Sequence, residues 1–194
     1  MKKMNTREMA TTAVLSALII ILGYTPLGLI PLPTMTATIL HIPVAIGAIM
    51  YGPTVGLTLG IVMGLTTLSK AILAPVSPLD PLFINPLVSV LPRALMGVLT
   101  AYVFIVLSKA IKVSSISVGI SAAIASITNT VFTLGALVIV YSKQLGQILE
   151  QMEVSGTVIA FVVGIASTSG VAEMIITIII VVPIILALRK ALEA

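Results

Sequence analysis

The sequence predicts an all-α integral membrane protein: six transmembrane helices with a short extra helix before the sixth, in a single transmembrane domain over residues 1–194. Composition is the first reason. Hydrophobic residues make up 59% of the chain and charged residues 8%, with mean hydropathy +1.26, whereas a soluble domain needs about a quarter charged residues to cover its wet surface. The second reason is a succession of apolar stretches near the roughly 20 residues a bilayer requires, separated by Gly- and Pro-rich breaks. The third is that the basic residues gather on one side of a six-span arrangement. A soluble enzyme, a nucleic-acid binder and a disordered tail are thereby excluded.

The first span follows Asn5-Thr6-Arg7-Glu8, an N-cap with a carboxylate three residues on. It runs to about residue 22 and stops before Gly23, Pro26 and Gly28. A lysine-flanked apolar start also suits a signal peptide. With no small-residue cleavage site after it, and a chain that stays apolar, a retained span is the reading taken. The second span is expected over about 36–50. The third, after Tyr51-Gly52-Pro53, reaches about residue 69, with Pro at a first-turn position. The fourth covers 85–108 and the fifth about 115–141. The stretch 154–189 is too long for one span, and Ser167-Thr168-Ser169-Gly170 is its natural break. A short helix at about 156–166, re-entrant or lying in the loop, and a sixth span over about 169–188 follow from that break.

Lys2, Lys3, Arg7, Lys109, Lys112, Arg189 and Lys190 fall on one side of this arrangement; Lys70 and Lys143 fall on the other, and Arg93 lies inside a span. By the positive-inside rule both termini are expected in the cytoplasm. The outer loops are then the long ones, 23–35, 70–84 and 142–155. The first two are crowded with proline, which suggests a lid over an outward-facing pocket. No internal repeat is evident, which counts against a transporter built from two inverted halves.

Polar residues within spans are costly and are functional candidates by default. Asn85, Ser89 and Arg93 are spaced i, i+4, i+8 on one helix face. The fifth span carries Thr128, Asn129, Thr130 and Thr133, the sixth Glu173, and the second His41 followed by Pro43. His41, Asn85, Asn129 and Glu173 are expected at similar depth, with Arg93 beneath, making a polar pocket under the loops. Each has a plainer reading beside this one. Arg93 and Glu173 would simply neutralise each other, His41 would be a packing histidine, Asn85 a cap before Pro86, and Asn129 interhelical glue. Lys70 and Asp80 read as solvated loop charges, although Lys70 would also suit an anionic ligand.

Gly52, Gly56, Gly60 and Gly64 recur every four residues and give the third span a smooth face for close helix approach. Ala10, Ala13 and Ala17 share one face of the first span, and 13–17 is an A-x-x-x-A. Cysteine is absent and His41 is the single histidine, so thiolate chemistry is impossible and a conventional metal site is not expected. There is no G-x-x-x-x-G-K-[ST], no H-E-x-x-H, no G-x-S-x-G and no carboxylate pair at a common level. Enzymatic activity is therefore not expected, and a primary pump would have to borrow its motor.

Six spans, the A-x-x-x-A, long outer loops and a polar outer pocket together resemble the substrate-binding S components of energy-coupling factor (ECF) vitamin transporters. The sharper match is local: His41-Ile-Pro-Val-Ala-Ile-Gly-Ala-Ile-Met-Tyr-Gly-Pro53, then Gly56, Gly60, Gly64 and Ser69, then Asn85-Pro-Leu-Val-Ser-Val-Leu-Pro-Arg93, with Asn129 and Glu173. It is similar to the pantothenate-specific branch, and departs from it at Ser169-Gly170, where that branch leads one to expect Asn. The resemblance implies a multi-pass protein of a prokaryotic plasma membrane. It would bind a vitamin from outside through His41, Asn85, Ser89, Arg93, Asn129 and Glu173, and dock through Ala10, Ala13 and Ala17 on a transmembrane coupling protein. This chain would bind no cofactor, ATP being used by two partner ATPase subunits. Pantothenate suits the carboxylate-, hydroxyl- and amide-binding groups, and the scarcity of aromatics speaks against stacked flat rings. Pyridoxine or hydroxymethylpyrimidine as cargo, or a stand-alone proton-coupled secondary transporter using Glu173 or His41, are the alternatives.

Overall fold

The computed structural model describes residues 4–31, 36–151 and 156–193. Helix α1 (Thr6–Tyr24) begins with the expected capping box: the Asn5 side chain accepts from Glu8 N at 2.8 Å, and the Glu8 carboxylate accepts from Asn5 N at 2.9 Å. It ends at Thr25 because Pro26 disfavours helical backbone in the residue before it.

The expected second span is corrected. Residues Leu29–Pro31 (β1) and Thr36–Thr38 (β2) form a short antiparallel pair, so the chain is not purely helical. Helix α2 starts only at His41 and ends at Tyr51. Threonine at 36 and 38 is β-branched and favours extended backbone, and Pro43 suits the first turn of a helix better than its interior. With 11 residues, α2 is about 16 Å long, roughly half a hydrocarbon core. Every residue from His41 to Ile49 is buried, as expected for a helix apolar all round. Five other helical segments are long and apolar enough to cross a membrane.

Gly52, at φ +89°, turns the chain from α2 into α3 (Pro53–Leu73), whose first residue is proline. That left-handed backbone favours glycine even though the space around it is open. The glycine stripe packs on α5 (Leu91–Ala110) backbone to backbone. A β-carbon at Gly56 would lie within 3.0 Å of Gly97 O, and one at Gly60 within 3.0 Å of the Arg93 and Ala94 backbone; at Gly64 it would meet Val90 Cα and Ser89 O. Gly97 answers Gly56 from the other helix in the same way.

The fourth span is not one uninterrupted helix. A single turn, α4 (Pro86–Ser89), is separated from α5 at Val90. Pro92 explains the break, since it has no N–H to donate to Val88 O four residues back. Helix α6 (Ser114–Gln151) leaves helical geometry at Tyr141 (φ −130°, ψ 26°), the expected end of the fifth span, but then continues helically to Gln151 where a loop was expected. The short helix expected at about 156–166 is present, but the break expected between it and the sixth span is not. Helix α7 (Val158–Ile165) passes through a wide π turn, Ala166–Gly170, directly into α8 (Val171–Glu193). The hydroxyls that suggested a break instead bind back: Ser167 Oγ donates to Val163 O at 2.8 Å and Thr168 Oγ1 to Gly164 O at 2.7 Å.

The main core surrounds α2, with Ile46, Leu59, Met96, Val118 and Val181 among its buried members. A second cluster packs Leu82 and Val88 against Leu137, Leu145 and Leu149 and is covered by α7. Near the end of α8, Arg189 donates to Ser114 Oγ at 2.9 Å and lies 4.9 Å from the Phe104 ring, and on α1 Thr11 Oγ1 meets Tyr51 Oη at 3.2 Å.

Replacing Gly60 with Ala is expected to cost about 1–3 kcal/mol, because its methyl must displace backbone rather than a flexible side chain. Gly135→Ala, with nothing within 4 Å, should stay within about 0.5 kcal/mol of the parent. Thermal unfolding of the two detergent-purified variants measures both.

Candidate functional site

Two adjoining cavities lie at the end of the bundle away from Arg7 and Arg189. The larger, about 410 Å³, is enclosed by the end of α1, the start of α2, the last turns of α3, the 76–83 segment, and Arg93 and Asn129. The smaller, about 140 Å³, lies between α6, the π turn and α8 and includes Glu173, Ser169, Thr130 and Thr133. Thr38, Arg93 and Asn129 border both.

Arg93 is held in an uncommon way. Its Nη1 donates to Val88 O at 2.5 Å, and that carbonyl is the one Pro92 leaves without a helical partner. Proline and arginine in succession therefore create an acceptor and fill it. The guanidinium also stands 5.5 Å from the centre of the Phe83 ring. Its backbone is fixed against Gly60. No direct ion-pair contact joins Arg93 to Glu173 among the described residues, although the two charges act on each other across the smaller cavity that both border. Glu173 Oε1 instead accepts from Thr38 N at 2.8 Å, tying α8 to strand β2.

Asn129 is 7% exposed and its Oδ1 has no partner. Arg93 Nε, Thr133 Oγ1 and Ser169 Oγ are also buried without partners, and all four residues border the smaller cavity. Buried polar atoms are nearly always satisfied, so four such groups around one space mark a place prepared for polar ligand atoms or water. By contrast, most hydroxyls elsewhere in the spans bind a carbonyl three or four residues back, as Thr66 does to Val62 and Thr100 to Met96.

Three of the six expected ligand residues converge: Arg93, Asn129 and Glu173. The other three sit elsewhere. His41 is wholly buried outside both cavities, its Nε2 2.6 Å from Thr177 Oγ1. That hydroxyl donates to Glu173 O, so the histidine supplies the proton of the His–Thr bond. Asn85 is the cap of α4, accepting from Leu87 N at 3.0 Å. Ser89 is buried under Gly64 and donates to Asn85 O at 3.1 Å. Because α4 and α5 are separate helices, the i, i+4, i+8 spacing does not line the three residues up on one cavity face.

Lys70, half-buried at the end of α3, faces the larger cavity. Asp80 borders the cavity as well, but its Oδ2 is occupied by Val76 N and Ser77 N at 2.6 and 2.8 Å. Thr38, Thr66, Thr67 and Ser77 complete the polar lining; their ordinary loop and helix positions gave no sequence signal. Ala10, Ala13 and Ala17 are exposed on α1, remote from both cavities.

The architecture is that of a polytopic helical membrane protein with a partly cationic cavity at one end of its bundle, which suits the binding of a small solute. Residues 7–185 match the family described as ECF transporter, substrate-specific component, and the chain belongs to that family. It is 27% identical, over 98% of its own length and 98% of the other's, to the pantothenic acid transporter PanT of Lactococcus lactis subsp. cremoris (strain MG1363).

Asn85→Ala is expected to lose about 1 kcal/mol of stability with its cap. Asn129→Ala has no bond from its amide oxygen to lose and should stay within about 0.5 kcal/mol of the parent. Chemical or thermal unfolding without ligand separates the two.

Proposed function

We propose that this chain binds pantothenate from outside the cell and delivers it as the S subunit of an ECF importer. The supporting observation is the larger cavity, where Arg93 and Lys70 meet an amide, several hydroxyls and apolar walls such as Met63 and Val76. Pantothenate carries one carboxylate, an amide, two hydroxyls and a branched apolar centre, and no ring. Its carboxylate goes to Arg93 and Lys70 and its polar arm to Asn129. Phe83, whose ring lies against Arg93, offers little for stacking a flat vitamin. The similarity to PanT points the same way.

In this reading both termini are cytoplasmic, and the β1–β2 pair and the 76–83 segment cover the pocket. Ala10, Ala13 and Ala17 form the smooth face that docks on a transmembrane coupling protein. Two ATPase subunits supply the energy, and this chain holds no cofactor. Small side chains allow close but reversible helix contact in lipid.

Pantothenate should raise the unfolding temperature and bind saturably in isothermal titration. Arg93→Gln should weaken it about 10- to 100-fold, the worth of a charge-assisted hydrogen bond, while Asn85→Ala leaves affinity unchanged. A shift with pyridoxine or hydroxymethylpyrimidine and none with pantothenate would reassign the cargo. Ala13→Trp and Ala17→Trp should abolish uptake by the complete complex and spare binding; loss of binding in those variants would sink the docking face.

One observation favours a second reading. Glu173 is a buried carboxylate with no cation in direct contact among the described residues, Arg93 acting on it only across the smaller cavity, and a proton-coupled carrier would need such a buried acid. Proteoliposomes containing this chain alone decide the matter: uptake driven by a proton gradient supports the carrier, and its absence supports the importer subunit.

A further inference from the structure

We propose that a crevice between α1, α2 and α8, at the end of the bundle opposite the pocket, binds one anionic phospholipid: an acyl chain in the crevice, the phosphate on Arg7. The crevice has a volume of about 340 Å³. Its walls are apolar, from Val14, Leu15, Met50 and Leu188, and its polar groups are confined to Arg7, Thr11 and Tyr51. Arg7, Thr11, Val14 and Leu15 follow the i, i+4, i+7, i+8 spacing of one helix face. An apolar hollow on a bilayer-facing surface is filled by hydrocarbon, because water there would lack hydrogen-bond partners.

The charge at its mouth selects the headgroup. Arg7 is exposed and has no bonded partner among the described residues. Its neighbour Glu8 is occupied by the capping box and leaves the guanidinium uncompensated. A cation in the first turn of a helix opposes the helix dipole, so an anion placed there is attracted by both the guanidinium and the helix start. Thr11, one turn below Arg7, and Tyr51 share a 3.2 Å hydroxyl contact. That contact uses one of their two hydroxyl protons and leaves the other for a phosphate or ester oxygen. Lys109, Lys112, Arg189 and Lys190 lie at the same end and add to the field for an anionic headgroup. The centre of the crevice face is turned roughly 110° around α1 from the centre of the Ala10, Ala13 and Ala17 face, with Arg7 and Val14 at the border between the two.

Native mass spectrometry of the intact chain, titrated with palmitoyl-oleoyl phosphatidylglycerol or the matching phosphatidylcholine, tests this. One phosphatidylglycerol should be retained with at least tenfold preference over phosphatidylcholine. R7Q should reduce its retention to the phosphatidylcholine level, and V14W, filling the crevice from an exposed position, should remove both. Should V14W not elute as a monodisperse folded protein, L188W serves in its place. Glycerol 3-phosphate should not displace the lipid; displacement would assign the site to a soluble phosphate and overturn the proposal. Equal retention of the two lipids by the parent chain, or undiminished selectivity in R7Q, would equally overturn it, with no bearing on vitamin binding.

Discussion

Contact between the backbones of α3 and α5 is the constraint on which the remaining architecture depends. Hydrocarbon gives apolar side chains little reason to prefer one another over lipid, so helices associate through close packing. Here the closeness is provided by Gly56, Gly60 and Gly64 on one helix and Gly97 on the other. The residue pressed against Gly60 is Arg93 itself, through its carbonyl. The same contact that joins the helices therefore fixes the position of the most buried cation among the described residues. A small movement between α3 and α5 would carry the guanidinium with it and alter the pocket wall.

Polar groups within the spans fall into two populations. Threonine and serine hydroxyls at most positions return to their own helix and present no unsatisfied group to lipid, as with Thr58, Thr67 and Ser121. Four of the six exceptions among the described residues gather around the junction of α5, α6 and α8, where Arg93, Asn129, Thr133 and Ser169 each retain an unpartnered buried atom; the other two, His41 Nδ1 and Ser126 Oγ, line neither cavity. The π turn at Ala166–Gly170 belongs to this junction. Its widened geometry brings Ser169 to the cavity and keeps Gly170 against Thr130, in keeping with the tendency of π bulges to occur at functional places.

What was legible in the sequence depended on whether the signal was local. The capping box at Asn5 and the glycine stripe are local, and the structure has them where the spacing put them. The burial of Arg93, Asn129 and Glu173 was legible for a similar reason: a polar side chain deep in a span has few places to go. Misplaced features share the opposite property. Counting residues along an assumed continuous helix set Asn85 and Ser89 beside Arg93, but the missing N–H of Pro92 breaks that helix. Thr36 and Thr38 pair with a strand seven residues upstream, an interaction that span counting does not register. The hydroxyl run at 167–169 resembled a loop because hydroxyls can either end a helix or bind its carbonyls, and only the backbone geometry distinguishes the two.

The half-length of α2 has a consequence for the path of a solute. A helix of about 20 residues would have filled the space where Thr38, Leu40 and the larger cavity now lie. With the central helix beginning at His41, that volume becomes a well sunk into the membrane. A molecule at its floor has roughly 16 Å of close-packed helix below it, about half the usual hydrocarbon thickness. Binding alone thus completes a large part of the crossing, and the work left for any later movement is to open or turn a septum one short helix deep.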